Sequence, residues 1–546
     1  MQSVRYHRDV SGYYVENFGC RATQADGAAL ERQFEQRGLS RASTPAQASV
    51  VVMNTCTVTA AADQDARAAI RRVRRQNPAA QIVVTGCYAQ RAPKEIAALP
   101  GVSLVIGNSH KHQLAEIFSR AAAPFVSPEG AAFISPGRKS GAPAEKSNES
   151  RRDGTASHTH SLASHEDAFI PLTTLTAPPE TREPEAGSPI FVSDIFAHTE
   201  LLAAPVFDAA NERTRPNLKV QDGCDNRCSF CVIPYVRGQS RSLPVNRILS
   251  EVNGLVKSGY RELVISGINL GRWGRDLAEP SALNKPGQRP TTNDQRLTSL
   301  IRAILAETTL EKLRISSVEP MDWTDDLISF VASSPRIAKH THVPLQSASD
   351  AVLRRMHRKY RPWHYREKIE KIRAAMPTAA IGADVMVGFP GETDAEFEAT
   401  RRMIEDLPFT YLHVFTYSPR PGTPAASMPN QVPLNVARER NRILRELAAE
   451  KKLAFMRSLV GQMLDAITLR PRGVGAPARE AGTTESATPA EEVSGFTEAL
   501  TDNYLKLRLR GRHTPNRWQH ARIEDVVDGA LVGRGSDRDR PRESVA

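Results

Sequence analysis

Three cysteines of this 546-residue chain, Cys224, Cys228 and Cys231, stand on one short stretch with the spacing C-x3-C-x2-C. Thiolates this close along the chain can face a single centre, which predicts a metal site. Structural zinc normally takes four protein ligands, whereas three thiolates can hold an iron–sulfur cluster with one iron left open. No further cysteine is near, and the closest histidines, His198 and His340, lack ligand spacing. The triplet therefore favours an iron–sulfur cluster, with zinc closed by a histidine as the alternative.

The other three cysteines each follow a strand-like apolar run. Such runs precede Cys20, Cys56 and Cys87, and stretches rich in helix formers separate the runs. Alternating strands and helices predict a parallel sheet, in which the carboxyl ends of the strands share one edge. We therefore expect these cysteines to converge into a second three-thiolate site. The alternative is that each is a small buried hydrophobe, a common fate of free cysteine.

The chain is longer than the roughly 250 to 300 residues of a single core, so several domains are expected. Changes in composition predict an α/β multidomain protein. Its segments are a parallel α/β domain (11–122), a disordered Ala/Pro/Ser-rich linker (123–209), a core of six strand–helix units (210–452), a small all-β barrel (453–535) and a tail (536–546). Six strand–helix units favour a partial (β/α)6 TIM-like barrel, and the Cys224 loop follows its first strand, where such barrels build active sites.

Hydropathy and charge narrow the class of protein. No run approaches the roughly 18 uninterrupted apolar residues of a membrane span, and the N-terminus lacks the apolar stretch of a secretory signal. We therefore expect a cytoplasmic protein with no membrane partner. Lys and Arg number 72 against 61 Asp and Glu, a net charge of +11 that attracts polyanions. Nucleic acid is the first partner to consider.

A basic stretch near the C-terminus strengthens that expectation. Lys506, Arg508 and Arg510 alternate, so on a strand they share one face, and Arg512 and Trp518 follow them. Cations interleaved with an aromatic side chain favour contacts to RNA phosphates and bases. The alternative is a solvated edge strand protected by charge.

Taken together, these features resemble the radical S-adenosylmethionine (SAM) methylthiotransferases. The cysteine loop with Phe230 before its last cysteine resembles radical SAM enzymes. The upstream cysteines, the barrel and the small β-domain are similar to a methylthiotransferase domain, a radical SAM core and a TRAM domain. The motifs NTCTVT (54–59), VTGCYAQ (84–90) and VQDGCDN (220–226) are most similar to the bacterial branch that modifies threonylcarbamoyl-adenosine in tRNA. After Cys20 and a basic residue the family usually has Asn and an acid–Ser pair, whereas this chain reads Ala-Thr-Gln-Ala-Asp-Gly.

The resemblance implies an enzyme with two 4Fe-4S clusters, one on Cys224, Cys228 and Cys231 and an auxiliary one on Cys20, Cys56 and Cys87. The open iron of the first would bind SAM. SAM cleavage would yield a 5′-deoxyadenosyl radical that takes hydrogen from carbon 2 of the adenine at tRNA position 37, next to the anticodon. Sulfur would pass through the auxiliary cluster, and a second SAM would supply the methyl group. The implied partners are tRNA, a sulfur donor, and an electron donor such as flavodoxin or ferredoxin.

Candidate SAM contacts follow the predicted barrel strands. Glycines there would let a ligand approach the backbone, and Ser and Glu could bind amino or ribose hydroxyl groups. Glycine after a strand is also ordinary turn chemistry. The candidates are Phe230, Ser266, Gly267, Ser317, Glu319, Asp384 and Gly388.

Other functions fit parts of the same pattern. Within the enzyme class, the alternatives are the isopentenyl-adenosine tRNA methylthiotransferase and the relative that modifies an aspartate of a ribosomal protein. The basic terminal domain favours RNA over protein as substrate. A non-catalytic RNA-binding iron–sulfur protein is the alternative from another class, and two complete cysteine triplets argue against it.

Overall fold

A computed structural model of the protein describes residues 12–122, 188–198, 201, 215–277, 296–470 and 495–536. Most of the predicted linker and all but the first residue of the predicted tail lie outside these ranges. None of the helices within the ranges combines the length and the apolar character needed to span a membrane.

The N-terminal domain is a six-stranded parallel sheet covered by helices on both faces. Its strand order is β2-β1-β3-β4-β5-β6. Val51 and Met53 pack on one face of the sheet and Val50 and Val52 on the other, which explains why β3 is apolar without alternation. The elements are β1 (Gly12–Asn17), α1 (Arg21–Glu35), β2 (Ser40–Arg41), β3 (Val50–Thr55), α2 (Ala60–Gln76), β4 (Gln81–Gly86), α3 (Cys87–Arg91), α4 (Pro93–Ala97), β5 (Val102–Gly107), α5 (Leu114–Ala122) and β6 (Ile190–Phe191).

Part of the predicted linker belongs to this sheet. Within 123–209, residues 188–198 are ordered: β6 pairs with β5, and Ser188 Oγ donates to the Val102 carbonyl at 2.6 Å. Val192 and Ile195 are buried. The prediction of a disordered linker is therefore corrected for 188–198, because Ile190 and Phe191 add a strand to the sheet and Ile195 packs beside Gly238 of the barrel. Residues 123–187, 199–200 and 202–209 lie outside the described part of the chain.

The second domain is an open barrel of six parallel strands, to which one short antiparallel strand, β8, is added. Two sheets, β10-β9-β7-β8 and β11-β12-β13, are joined by parallel bridges at Leu313–Ile337 and Ser317–His342. This confirms the predicted partial barrel. The elements are β7 (Asn217–Asp222), α6 (Ile233–Arg237), β8 (Arg241–Ser242), α7 (Val245–Lys257), β9 (Glu262–Gly267), α8 (Arg296–Glu307), β10 (Lys312–Ile315), α9 (Asp325–Ser333), β11 (His340–His342), α10 (Asp350–Arg355), α11 (Pro362–Ala375), β12 (Ala380–Val387), α12 (Asp394–Asp406), β13 (Tyr411–Thr416) and α13 (Leu434–Ser458).

Local sequence signals set the starts of several barrel helices. Thr393 and Glu396 form a capping box at the start of α12, and the Thr324 hydroxyl accepts the Leu327 N–H at the start of α9. One large apolar core fills the space between the strands and the outer helices, so the strand ends are held rigidly where the active-site loops emerge.

The C-terminal domain is a closed five-stranded barrel in the order β14-β15-β16-β18-β17. Its strands are β14 (Met463–Thr468), β15 (Phe496–Thr501), β16 (Lys506–Arg510), β17 (Trp518–Val527) and β18 (Ala530–Ser536). Helix α13 leads into it, and the boundary expected between 452 and 453 lies inside this helix. Arg314 of β10 donates to the carbonyl of Asp502 at 2.9 Å, so the two barrels are in direct contact.

Candidate active site

The loop after β7 presents three cysteines at the carboxyl end of the barrel. It begins at Gly223, which has a φ of +70° and no room for a side chain, since a Cβ would lie 1.9 Å from the Gln239 carbonyl oxygen. Cys224 follows directly, and the N–H of Cys231 donates to the Cys228 carbonyl at 3.1 Å. The three partly buried free thiols therefore share one tightly folded turn.

Two side chains from elsewhere in the barrel donate toward these sulfurs. Asn269 Nδ2 lies 3.6 Å from Cys224 Sγ, and Arg358 Nη1 lies 3.3 Å from Cys228 Sγ. Arg358 also pairs with Glu319, one of the candidate SAM contacts. Hydrogen bonds to the sulfurs orient cluster ligands and tune the cluster that they hold.

Burial opposes the charged form of these thiols. It raises the pKa of Cys231 to about 12, with Cys228 adding to the rise, and it also raises the pKa of Cys224. Iron binding would therefore have to displace protons from the loop. Three free sulfur donors on one turn fit the donor set of an iron–sulfur cluster.

Polar atoms collect where the barrel strands end. Among the described residues, Ser266 Oγ, Ser316 Oγ, Gln346 Oε1 and Asn269 Oδ1 are buried and have no hydrogen-bond partner. Buried polar atoms are normally paired, so a set of unpaired ones toward the carboxyl ends of the barrel strands fits a polar ligand. SAM carries amino, carboxylate and hydroxyl groups that could pair with them.

Three of the candidate SAM contacts pack against protein. Phe230 meets Phe389 edge to face with ring centroids 6.3 Å apart. A Cβ on Gly388 would lie 2.5 Å from the Cβ of Ala437 in α13. A Cβ on Gly267 would lie 2.8 Å from the side chain of Gln221. Close approach of neighbouring elements is thus a sufficient reason for glycine at both positions.

Two other candidates, Ser317 and Asp384, meet at His342 in the barrel interior. Nδ1 of His342 lies 3.0 Å from Ser317 Oγ, and Nε2 of the same ring lies 3.5 Å from Asp384 Oδ1. Burial raises the pKa of Asp384 to about 6, although the nearby His413 opposes the rise. This group is polar and titratable, but it lies deeper along β12 than the strand end.

The second triplet lies at the carboxyl edge of the N-terminal sheet. Cys20 begins the turn into α1, Cys56 follows β3 and Cys87 follows β4. Gly19, with φ of +92°, approaches Cys56 so closely that a Cβ there would lie 2.8 Å from Cys56 Sγ. Burial raises the pKa of Cys56 to about 12, and Cys87 and Cys20 add to the rise. The sheet thus brings together three cysteines that are far apart in sequence.

Within the described ranges, no group of three or more His, Cys, Asp or Glu side chains is arranged to hold a single metal ion. In a four-iron cluster each thiolate binds a different iron, so its ligands need not converge on one point.

The unusual motif after Cys20 makes specific contacts. The hydroxyl of Thr23 lies 3.5 Å from Cys20 Sγ. Gly27 leaves room for Asn17, because a Cβ on Gly27 would lie 2.0 Å from the Asn17 side chain. Asn17 in turn accepts a hydrogen bond from Asn54 at 2.8 Å. The segment after Cys20 is therefore in close contact with β1.

A buried ionic network between the two domains was not predicted. It joins Asp26 of α1 to Lys219 and Asp222 of β7 and to Arg237 of α6. One sequence signal could have indicated it, since Lys219 lies in the middle of a buried parallel strand, where an unpaired charge would be costly.

The predicted basic stretch lies on β16 and nearby. Lys506, Arg508 and Arg510 share one face, but Arg508 pairs with Asp528 at 3.5 Å and Arg510 with Glu524 at 2.7 Å. Arg512 is exposed. The Trp518 ring is 5.0 Å from Lys312 Nζ of the barrel, so one of its faces already carries a cation.

Two family models match the chain. The model described as "Radical SAM superfamily" matches residues 218–404, and the model described as "Uncharacterized protein family UPF0004" matches residues 12–107. The partial barrel with a three-cysteine loop after its first strand, together with these matches, defines a radical SAM enzyme.

Curated relatives place the chain more narrowly. It is 32% identical to the threonylcarbamoyladenosine tRNA methylthiotransferase MtaB of Bacillus subtilis, over 90% of this chain and 89% of the relative. It is also 32% identical to the protein of that name in Aquifex aeolicus, over 83% and 92%. A tRNA-2-methylthio-N(6)-dimethylallyladenosine synthase of Parafrankia is 32% identical over 84% and 78%. The chain belongs to the radical SAM methylthiotransferase family.

Proposed function

We propose that this protein adds a methylthio group to carbon 2 of threonylcarbamoyl-adenosine at position 37 of tRNA. The observation that carries the proposal is the similarity to the Bacillus subtilis enzyme named for this substrate, which spans 90% of this chain. Two complete cysteine triplets at the edges of two adjacent domains support a catalytic role over RNA binding alone.

The six cysteines are proposed as the ligands of two 4Fe-4S clusters. Cys224, Cys228 and Cys231 would hold the SAM-binding cluster, and the triplet on the N-terminal sheet would hold the auxiliary one. When bound, the two groups supply the electron for SAM cleavage and the route for sulfur. Asn269 and Arg358 would donate to the thiolates of the first triplet.

Residues at the barrel mouth would bind and orient SAM. Glu319 is fixed by Arg358, which itself touches Cys228, so a carboxylate is held beside the cluster loop. This carboxylate and the unpaired oxygens of Ser266 and Ser316 are proposed to accept hydrogen bonds from the amino and hydroxyl groups of SAM.

Further partners follow from the chemistry. SAM cleavage consumes an electron, for which we propose a donor such as flavodoxin or ferredoxin, and methylthiolation consumes a sulfur atom from a sulfur donor. The proposed place of action is the cytoplasm, because both tRNA and small electron carriers are found there.

A second candidate substrate is dimethylallyl-adenosine, the isopentenyl-type adenosine at the same tRNA position. This candidate is supported by the 32% identity to the Parafrankia dimethylallyladenosine synthase. The two substrates differ in the group attached to the adenine, which is polar and anionic in one and an apolar alkenyl chain in the other.

Nucleoside mass spectrometry separates these substrates. In a strain lacking the gene, we expect 2-methylthio-threonylcarbamoyl-adenosine to disappear and its unmethylthiolated precursor to accumulate. The dimethylallyl product serves as the internal control and should stay unchanged. Loss of the dimethylallyl product alone would assign the protein to the other substrate. Complementation with the intact gene should restore the missing nucleoside.

The basic face of β16 is proposed to contact tRNA phosphates. Replacing Lys506, Arg508 and Arg510 with Ala should weaken tRNA binding and lower the magnitude of the salt slope by about two units, at roughly 0.7 to 0.9 per lost contact. Binding measured from low to physiological salt checks this. Replacing Arg302, Arg366 and Lys371 on the outer barrel helices is the matched control, because the change in net charge is the same. Equal slopes for both triple variants would mean that β16 is only a solvated strand whose charges protect it from pairing.

A further inference from the structure

Five charged side chains meet in the interior between the N-terminal domain and the barrel. Asp26 contacts Lys111 at 3.1 Å, Arg237 at 3.0 Å, and Lys219. Asp222 contacts Lys219 at 2.7 Å and Arg237 at 2.9 Å. All five side chains are at most 8% exposed. We call this group the interdomain ionic network.

Ion pairs between its carboxylates and cations hold the network together. Burial alone would raise the pKa of Asp26, but Lys111, Lys219 and Arg237 hold it at about 2. Asp222 is paired with Lys219 and Arg237, so each carboxylate has at least two cationic partners. Removing one member would leave the others buried and incompletely paired, which is strongly unfavourable.

The network connects the two cysteine sites, because its carboxylates lie close to cysteines along the chain. Asp26 lies in α1, which starts directly after Cys20, and Arg237 also reaches the Thr23 hydroxyl beside Cys20 Sγ. At the other end, Asp222 accepts the Gly223 N–H at 2.8 Å, immediately before Cys224. Asp26 and Asp222 are bridged by single side chains, so Cys20 and Cys224 belong to one hydrogen-bonded unit.

Cys56 and Cys87 are tied to the barrel by separate contacts. Cys87 packs against Val232 and Val236 in the segment after Cys231, and Asn108 donates to both Cys87 Sγ and the Val236 carbonyl. Thr57, the residue after Cys56, accepts a hydrogen bond from Arg420 of the barrel, which also pairs with Asp63. All three N-terminal cysteines are thus anchored to the barrel.

We propose that the interdomain ionic network is a positioning device that fixes the auxiliary cysteine triplet relative to the cysteine loop of the barrel. The proposal rests on the proposed function, because sulfur must reach the carbon from which the barrel site has removed hydrogen. Asp26 and Arg237 act through other groups and touch no reactant. Changing either residue should lower the share of SAM cleavage events that end in methylthiolation. The reason is that a displacement of about 1 Å in a reacting group can cost about a hundredfold in rate.

The first test compares Asp26→Asn with Glu262→Gln in the full chain. Glu262 pairs with Arg314 in the same buried manner, but at the opposite end of the barrel strands. In reconstituted protein with tRNA, the ratio of methylthiolated adenosine to 5′-deoxyadenosine should fall by about a hundredfold in Asp26→Asn, the loss expected for a displacement of about 1 Å. The ratio should stay at the wild-type value in Glu262→Gln. Equal ratios in the two variants would overturn the proposal.

Hydrogen exchange on the iron-free protein gives an independent readout. Amides of α1 and of the Gly223–Cys224 segment should exchange faster in Asp26→Asn than in wild type, and those segments should be unchanged in Glu262→Gln. Unchanged exchange in Asp26→Asn would show that the network does not hold the two sites together.

A milder variant covers the case in which Asp26→Asn fails to fold. Arg237→Lys keeps the charge but loses the fork that spans Asp26 and Asp222. It should lower the product ratio by about tenfold, less than the loss for a full displacement, and a wild-type ratio would overturn the proposal. Wild-type protein that forms 5′-deoxyadenosine but no methylthiolated nucleoside would instead contradict the proposed function, and the exchange result would still decide on the network.

Discussion

Replacing Cys224, Cys228 and Cys231 together with Ala is expected to abolish SAM cleavage and leave about half of the iron. Wild-type protein should hold about eight irons after anaerobic reconstitution, since each triplet would hold a four-iron cluster. The N-terminal triplet lies on a separate sheet with its own two-sided core, so it should still assemble. Iron analysis and chromatography of 5′-deoxyadenosine check the two results.

The reciprocal triple variant is the control for this result. With Cys20, Cys56 and Cys87 replaced, about half of the iron should again remain, now with SAM cleavage retained. Complete loss of iron from either variant would contradict two independent sites. Cys87 packs against Val232 and Val236, next to the barrel loop, so a partial loss beyond half would measure how far the sites depend on each other.

The convergence of Cys20, Cys56 and Cys87 could be expected from sequence because it follows from topology. Parallel strands joined by helices place all their carboxyl ends on one edge, whatever the details of packing. The position of the Cys224 loop follows in the same way from the first barrel strand. Both inferences need only strand ends, which apolar runs mark clearly.

The contacts of the cysteines could not be predicted in this way. Arg358 reaches Cys228 from a position 130 residues away, and Asp26 meets Lys219 at a separation of 193 residues. No local pattern encodes such pairs, because the first depends on how the barrel closes and the second on how two finished domains dock. The apolar side chains from Ile190 onward indicate that this stretch packs on a neighbouring domain, but its two-residue strand carries too little periodicity to be told from a linker.

The glycines also show what the sequence can predict and what only the structure reveals. The sequence predicts that a ligand approaches the backbone at Gly267 and Gly388, whereas the structure shows the side chains of Gln221 and Ala437 close to them. A glycine reports that something approaches closely, but its sequence context does not say whether this is a ligand or another part of the chain.

Cys56→Ala is expected to abolish methylthiolation and to keep SAM cleavage. Cys56 is 5% exposed, and alanine keeps a small apolar side chain there, so the folding cost should be about 1 kcal/mol, the centre of the range for single substitutions. The barrel loop, with Asn269 and Arg358 beside it, is unchanged in this variant.

The change therefore removes one proposed ligand of the auxiliary cluster and leaves the site of SAM cleavage intact. The measurement is paired: 5′-deoxyadenosine and methylthiolated nucleoside are quantified in one reaction with tRNA. Val58→Ala is the neighbouring control, since Val58 is 48% exposed two residues further along the same loop, and both products should form as in wild type. Full methylthiolation by Cys56→Ala would mean that the N-terminal cysteines are only small buried side chains. Loss of both products would mean that SAM cleavage itself depends on the N-terminal triplet, because the two sites are joined through Cys87, Val236 and the interdomain ionic network.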